Sequence, residues 1–136
     1  MAESLRNGSG GVIKLTFAVR RRADVDPGEF HRYWRDEHGP LVRSFQSVLG
    51  IRRYVQTHRV DGPFNDALRT SRNALEPFDG TAELWWDDLD ELAKASASEE
   101  GLAAGRALLE DEARFIDLER SALWLGEEVE IISLDG

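Results

Sequence analysis

One segment of the chain, residues 30–42, combines an imidazole with aromatic side chains at helical spacing; it reads FHRYWRDEHGPLV. An α-helix turns by about 100° per residue, so Phe30 and Trp34 share one face and His38 lies at the edge of that face. The apolar arc predicted for a straight helix consists of Phe30, Trp34, Leu41, Phe45 and Val48. An ionisable ring beside such an arc needs a partner, because burying a charge is costly. His38 is therefore a candidate for chemistry, and the alternative is a hydrogen-bonded structural histidine.

Gly39 and Pro40 follow His38 directly and disfavour a continuous helix. Proline lacks an N–H group and pushes the residue before it out of the α region, so we expect a helix end or a kink at His38. A helix C-terminus favours the imidazolium, whereas burial against Trp34 favours the neutral ring. These opposed effects predict a pKa near neutrality, where a general acid or base is most effective.

The second predicted strand carries a row of polar groups. Tyr54, Gln56 and His58 alternate within residues 51–60, so their side chains project to one face of that strand. Such a row is typical of the exposed face of an antiparallel sheet. If both faces of the sheet are covered, the row lines a pocket or a dimer interface.

Glu83 lies between apolar neighbours on the third predicted strand, residues 81–87, and shares a face with Trp85. A buried Glu83 requires a hydrogen bond or a raised pKa, and the alternative is a carboxylate at the sheet edge. We predict His38 and Glu83 as catalytic residues, with Glu83 or His58 orienting the imidazole or the substrate. The side chains predicted to hold a flat apolar ligand are Tyr33, Trp34, Tyr54, His58, Trp85 and Phe115.

Apolar periodicity predicts the element order β-α-β-β-α-β. Residues 12–20 alternate as a strand, Asp26-Pro27 starts the first helix, and residues 121–133 contain the last strand. The connection at residues 61–78 is long and is expected to be mobile or to form a lid. Two interleaved βαβ units predict an α+β, ferredoxin-like antiparallel sheet with helices on one face. The other face is bare in a monomer, which predicts a homodimer with residues 127–132 near its interface.

Composition excludes several classes of function. The 136 residues carry a net charge of −9, which argues against nucleic-acid or anionic-membrane partners. The chain has no cysteine, so thiol catalysis and disulfides are excluded. A metal site built from His31, His38 and Glu83 is a minor alternative that we do not favour, because Pro40 interrupts the helix. We predict neither a metal nor a cofactor.

The same residues also resemble a known family, the EthD-domain proteins. The helix carries the pattern Phe30-x-x-Tyr33-Trp34-x-x-x-His38-x-Pro40-Leu41-Val42. The weaker downstream patterns are Tyr54-x-Gln56, Asp79-Gly80-x-Ala82-Glu83-Leu84-Trp85 and Arg114-Phe115-Ile116-Asp117. The resemblance covers roughly residues 12–133 and implies a dimeric α+β barrel. It also implies membership of a superfamily that includes polyketide cyclases, muconolactone isomerases and cofactor-free monooxygenases. Other members of that superfamily bind haem or flavin.

The expected function is binding of a small apolar or aromatic metabolite between the sheet and the helices. Cofactor-independent acid–base catalysis of the isomerase, cyclase, dehydratase or monooxygenase type then uses His38 as the proton carrier. The alternative is a ligand-binding or accessory protein of a degradative oxygenase system. We predict a flexible leader at residues 1–11, one domain at residues 12–136, and a cytoplasmic location because the N-terminus shows no signal-peptide core.

Overall fold

The computed structural model describes residues 11–135, so the leader predicted at residues 1–11 lies outside the described residues except for Gly11. Four strands form one antiparallel sheet in the order β2-β3-β1-β4. The strands are β1 (Ile13–Val19), β2 (Arg53–His58), β3 (Gly80–Trp86) and β4 (Ala122–Gly126). The helices are α1 (Pro27–Tyr33), α2 (Gly39–Ser44), α3 (Gln46–Leu49), α4 (Pro63–Arg72), α5 (Leu89–Ala97) and α6 (Glu99–Glu112). This arrangement confirms the predicted α+β, ferredoxin-like class.

Local sequence signals set the helix boundaries. The Asp26 side chain accepts backbone hydrogen bonds at the start of α1, and Asp88 and Ser98 do the same for α5 and α6. Gly50 ends the first helical region with a φ of 71°, a left-handed conformation that suits glycine. The predicted helix start at Asp26 is therefore confirmed.

The two faces of the sheet differ in their cover. Alternate side chains of β1 and β3 turn toward the helices and build the core, which includes Ile13, Phe17, Val19, Ala82, Leu84 and Trp86. The opposite face carries Lys14 and Glu83, joined by an ion pair of 2.6 Å. The face predicted to be bare and apolar is thus mixed in character.

A π-helical turn (Trp34–His38) joins α1 to α2, so the helical path continues through Gly39 and Pro40. The side chains that face the sheet are Phe30, Trp34, His38 and Val42, whereas Val48 is exposed. On a straight α-helix Val42 would lie about 120° away from Phe30. A π turn absorbs one extra residue, which brings Val42 back to within about 20°. The predicted arc with Leu41, Phe45 and Val48 was therefore wrong beyond Trp34.

The last strand is shorter than predicted. β4 ends at Gly126, which pairs with Lys14, so only Ile13 of β1 remains beyond that pair for later residues. Val129, Ile131 and Ile132 follow as exposed chain without regular structure rather than as part of the strand.

The long connection between β2 and β3 folds mainly into α4, which has no buried residue. Among residues 11–135, no helix combines the length and the apolar character needed to cross a membrane.

Gly80 lets the Trp34 indole lie directly on the sheet. A Cβ at this position would approach the Thr57 carbonyl oxygen to 2.2 Å and the Trp34 ring to 2.8 Å. We expect Gly80→Ala to destabilise the fold by about 2 kcal/mol or more, because neither neighbour can retreat easily. Gly105→Ala is the control; its Cβ meets nothing within 4 Å and should stabilise α6 by up to about 1 kcal/mol. Urea unfolding measures both changes, and equal stability of the two variants would contradict the packing described.

Candidate functional site

A cavity of about 240 Å³ lies between the helices and the sheet. Its wall is mostly apolar, formed by Leu15, Phe17, Val19, Trp34, Val42, Leu49, Ile51, Ala82, Leu84, Trp86, Leu92, Leu108, Ile116 and Leu123. Four polar side chains also line it: His38, Tyr54, Ser96 and Glu112. An apolar cavity with a few convergent polar groups is the usual form of a small-molecule site.

His38 is buried at this cavity, with 4% of its surface exposed. Its Nδ1 lies 2.7 Å from the Asp111 carboxylate, and its ring packs against Phe115. Because an ionised carboxylate only accepts hydrogen bonds, Nδ1 carries the proton and the Nε2 of the neutral ring is free to act as a base. Burial lowers the pKa of His38, and the hydrogen bond to Asp111 opposes that shift. The neutral form therefore predominates near pH 7.

Asp111 holds two aromatic side chains at once. Its other carboxylate oxygen accepts a hydrogen bond of 2.6 Å from the Tyr33 hydroxyl, and Arg114 lies 3.6 Å from the same oxygen. The bond to Asp111, together with burial, raises the pKa of Tyr33. Tyr33 thus supports the pair of His38 and Asp111 from outside the cavity wall, where its ring packs against Phe115.

Glu112 brings a second carboxyl group to the imidazole. Its Oε2 lies 4.0 Å from the Nε2 of His38. Burial, and secondarily the charge of Asp111, raises the pKa of Glu112 to about 7. Near neutral pH the cavity therefore holds a neutral imidazole base beside a carboxyl group that is partly protonated.

Gln56 orients Tyr54 at the other side of the cavity. The Nε2 of Gln56 donates to the Trp34 carbonyl oxygen at 2.8 Å and to the Tyr54 hydroxyl at 2.7 Å. A carbonyl can only accept, so it fixes which end of the amide carries the nitrogen. The Tyr54 oxygen accepts from Gln56, which leaves the Tyr54 hydroxyl hydrogen available to a ligand. Burial raises the pKa of Tyr54 and keeps it a donor.

His58 closes this network away from the cavity. Its Nε2 lies 2.8 Å from the Gln56 side-chain oxygen, so that nitrogen carries a proton. Its Nδ1 then accepts from the Nδ1 of His31 at 2.7 Å. Burial lowers the pKa of both histidines. His58, predicted to contact a ligand, instead supports Gln56 and packs its ring against Trp34.

Glu83 and Trp85 lie on the sheet face that points away from the helices. The cavity is lined by their neighbours Ala82 and Leu84, whose side chains alternate to the other face. Glu83 pairs with Lys14. The Trp85 indole donates to Glu128 at 2.6 Å. The predicted contact of Glu83 with His38 is therefore wrong, because the two side chains lie on opposite sides of the sheet.

The structure thus brings His38, Trp34 and Tyr54 together at the cavity and places Tyr33 and Phe115 behind the imidazole. Sequence reasoning missed Asp111 and Glu112. One signal marks them: two acids occupy the last turn of α6, where the helix macrodipole disfavours negative charge.

His31, His38 and Glu83, the alternative metal-ligand set, do not converge. His31 bonds to His58, His38 to Asp111 and Glu83 to Lys14. No group of three or more metal-ligating side chains is arranged for an ion in the part of the chain that the structure describes.

The sequence model of the EthD domain matches residues 22–119, which include the helical path, Tyr54, Asp111 and Glu112. The chain belongs to the EthD-domain family. A search of curated protein sequences finds no match.

Solved structures with similar folds include other EthD proteins. An ethyl tert-butyl ether degradation (EthD) family protein from Bacillus halodurans is 24% identical, with a TM-score of 0.58 over 87% of this chain and 99% of that one. A dimeric ferredoxin-like protein of unknown function from Bacteroides fragilis is 16% identical, with a TM-score of 0.56 over 88% and 99%. SnoaB, a cofactor-independent oxygenase from Streptomyces nogalater, is 14% identical, with a TM-score of 0.54 over 90% and 98%. At these identities the likeness establishes the fold.

Glu112→Gln tests the raised pKa in this EthD-domain chain. Glu112 ionises near pH 4.5 when unfolded but near 7 when folded. Its contribution to the free energy of unfolding is therefore fully present below pH 4.5 and is lost as the pH rises to about 7. At and above pH 7 the variant should be up to about 3 kcal/mol more stable than the wild type, with little difference at pH 4.5.

Urea unfolding across this pH range measures the effect, and the exposed neighbour Glu110 supplies the control Glu110→Gln. The comparison between variant and wild type isolates Glu112, because His38 is present in both. A pH-independent difference for Glu112→Gln would show that the carboxyl group titrates normally.

Proposed function

We propose that this EthD-domain protein binds a small apolar or aromatic metabolite in the cavity and transfers protons on it without a cofactor. The observation that supports this most is the geometry of His38. Its Nδ1 is held by Asp111 while its Nε2 is directed toward Glu112 at a cavity that both side chains line.

The cavity suits a flat, uncharged molecule. Trp34 and Trp86 supply aromatic surface, while aliphatic side chains from the sheet and helices complete the wall. Burial of a ligand here contributes about 25 cal/mol of favourable free energy for each Å² of apolar area that is removed from water. The few polar groups then decide orientation rather than affinity.

A proton transfer beside a carbonyl uses these groups in turn. The Nε2 of His38 removes a proton from the carbon next to the ligand carbonyl, and the electron pair of that C–H bond moves to the carbonyl oxygen. The Tyr54 hydroxyl, or protonated Glu112, donates a hydrogen bond to the resulting enolate oxygen. Return of the proton from His38 to a different carbon completes an isomerisation. In a cyclisation the enolate carbon attacks a second carbonyl, whose oxygen takes the electron pair and then the proton from His38.

Asp111 acts through His38 in this scheme. It holds the imidazole in one tautomer and stabilises the imidazolium that forms when Nε2 takes up the proton. The low pKa of His38 keeps the ring unprotonated before the reaction, and the raised pKa of Glu112 keeps an acid available.

A non-catalytic role in an oxygenase system is the second candidate. The same apolar cavity supports binding without turnover. SnoaB, a protein of similar fold, is a cofactor-independent oxygenase, which supports the catalytic proposal rather than this alternative. Only an assay of proton transfer separates the two functions.

2-Tetralone is a suitable probe, because it is flat, uncharged and carries acidic protons next to its carbonyl. We expect the protein to accelerate replacement of these protons by deuterium in D₂O, followed by NMR. His38→Asn keeps a side-chain N–H near the position of Nδ1 but removes Nε2, so exchange should fall by about 100-fold or more while binding remains. Binding by wild type without accelerated exchange would favour the ligand-binding role.

The exchange rate should depend on pH in a bell shape. His38 must be unprotonated, so the rate rises with pH through a pKa below the ordinary 6.5. Glu112 must be protonated to act as the acid, so the rate falls as the pH rises above about 7. In Glu112→Gln the descending limb should disappear; its persistence would assign the acid role to another group.

We further propose that the protein is a homodimer. Its interface is formed by the sheet face that points away from the helices, together with the exposed C-terminal residues. Trp124 on β4 lies on that face with 53% of its surface exposed, and Ile131 and Ile132 are each 82% exposed. Apolar surface of this extent is normally covered by a partner. The Bacteroides protein of similar fold is itself described as dimeric.

Light scattering at micromolar concentration tests this assembly. The wild type should have twice the mass of the chain, and Trp124→Glu should give monomers, because a buried unpaired carboxylate is costly. Phe64→Glu is the control, since it places the same charge at an exposed aromatic position on α4. A monomeric wild type would overturn the proposal.

A further inference from the structure

A second hollow, of about 470 Å³, lies between α2 and the edge strand β2, and we call it the basic groove. Four arginines line it: Arg35, Arg43, Arg52 and Arg53. No carboxylate of the described residues lines it, although the chain has 26 acidic against 17 basic residues. A groove of one charge sign in a protein of opposite net charge indicates an anionic ligand.

The four arginines differ in the interaction partners that their side chains already have. Arg35 pairs with Asp36, Arg52 pairs with Asp87, and Arg53 lies over the Trp85 ring. The side chain of Arg43 makes no ion pair or hydrogen bond within residues 11–135. Its guanidinium can therefore bind a carboxylate without breaking an ion pair, as Arg35 and Arg52 would, or leaving an aromatic ring, as Arg53 would.

The basic groove adjoins the cavity of the candidate site. Val42, Ile51 and Tyr54 line both. Val42 and Ile51 are buried, whereas Tyr54 is only partly buried. Tyr54 is therefore the part of the shared wall that a ligand of two or three rings would pass on the way from Arg43 into the cavity.

The cavity itself disfavours an anion. Asp111 and Glu112 lie at the imidazole end, so a buried carboxylate there would meet like charge without compensating solvent. A substrate that carries both an apolar ring and a carboxylate has one favourable direction of entry. The ring enters the cavity and the carboxylate stays in the groove.

We propose that the substrate is an aromatic carboxylate whose ring occupies the cavity and whose carboxylate binds Arg43 in the basic groove. This inference rests on the function proposed above, because it assigns a substrate class to the same site. It also gives the groove a positioning role: a carboxylate fixed outside the cavity sets which ring carbon reaches the Nε2 of His38.

Calorimetry with 2-naphthoate and 2-naphthamide tests the inference, because the two probes share a ring and differ in charge. The wild type should bind the naphthoate about 5- to 10-fold more tightly at low salt, and high salt should shrink that preference. Arg43→Gln should lose the preference while its affinity for the naphthamide stays unchanged. Arg106→Gln removes the same charge from an exposed position on α6 outside the groove, and should behave as wild type.

The outcomes separate the two proposals. Equal affinity for both probes, or a preference that survives in Arg43→Gln, would overturn the carboxylate inference while leaving the cavity as a site for uncharged ligands. Failure of both probes to bind the wild type would count against the cavity as a ligand site, and the inference would fall with it.

Discussion

The hydrogen bond between His38 and Asp111 connects two helical segments of the site. His38 comes from the π turn and Asp111 from the end of α6, so one bond of 2.7 Å ties together segments far apart in sequence. Without this bond, Asp111 would retain, among residues 11–135, only Tyr33 and the more distant Arg114 as partners for its charge. The same contact sets the tautomer of the imidazole, so the helix packing and the chemistry of Nε2 depend on one interaction.

On the opposite wall of the cavity, the side-chain amide of Gln56 positions Tyr54. It donates one hydrogen bond to the Trp34 carbonyl oxygen and another to the phenol oxygen of Tyr54. The backbone of the π turn is thereby bonded to the edge strand of the sheet. Neither Gln56 nor His58 needs to touch a ligand for its replacement to alter how Tyr54 presents its hydrogen.

Much of the fold followed from sequence pattern, because strict alternation in β1 and clear caps at Asp26 and Asp88 are local signals. The candidate site followed only in part. His38 was found because a histidine at the edge of an apolar face is conspicuous. Its partner was missed, since Asp111 is set by how α6 docks rather than by any local pattern. Glu83 was assigned to the wrong face of the sheet, because a carboxylate between apolar neighbours has the same sequence pattern whichever face its side chain points to.

The π turn has a consequence for how this segment tolerates changes in length. It holds one residue more than an α-helix would between Phe30 and Val42. Deleting one residue there would give a regular helix of better hydrogen-bond geometry and would leave Val42 within about 20° of Phe30. A regular helix at the present length would instead rotate everything beyond the turn by about 100° relative to α1. The π turn is what lets Trp34, His38 and Val42 share one face. At its present length the segment therefore needs the irregular helix, because straightening it without removing a residue would turn Val42 away from the face that carries Trp34 and His38.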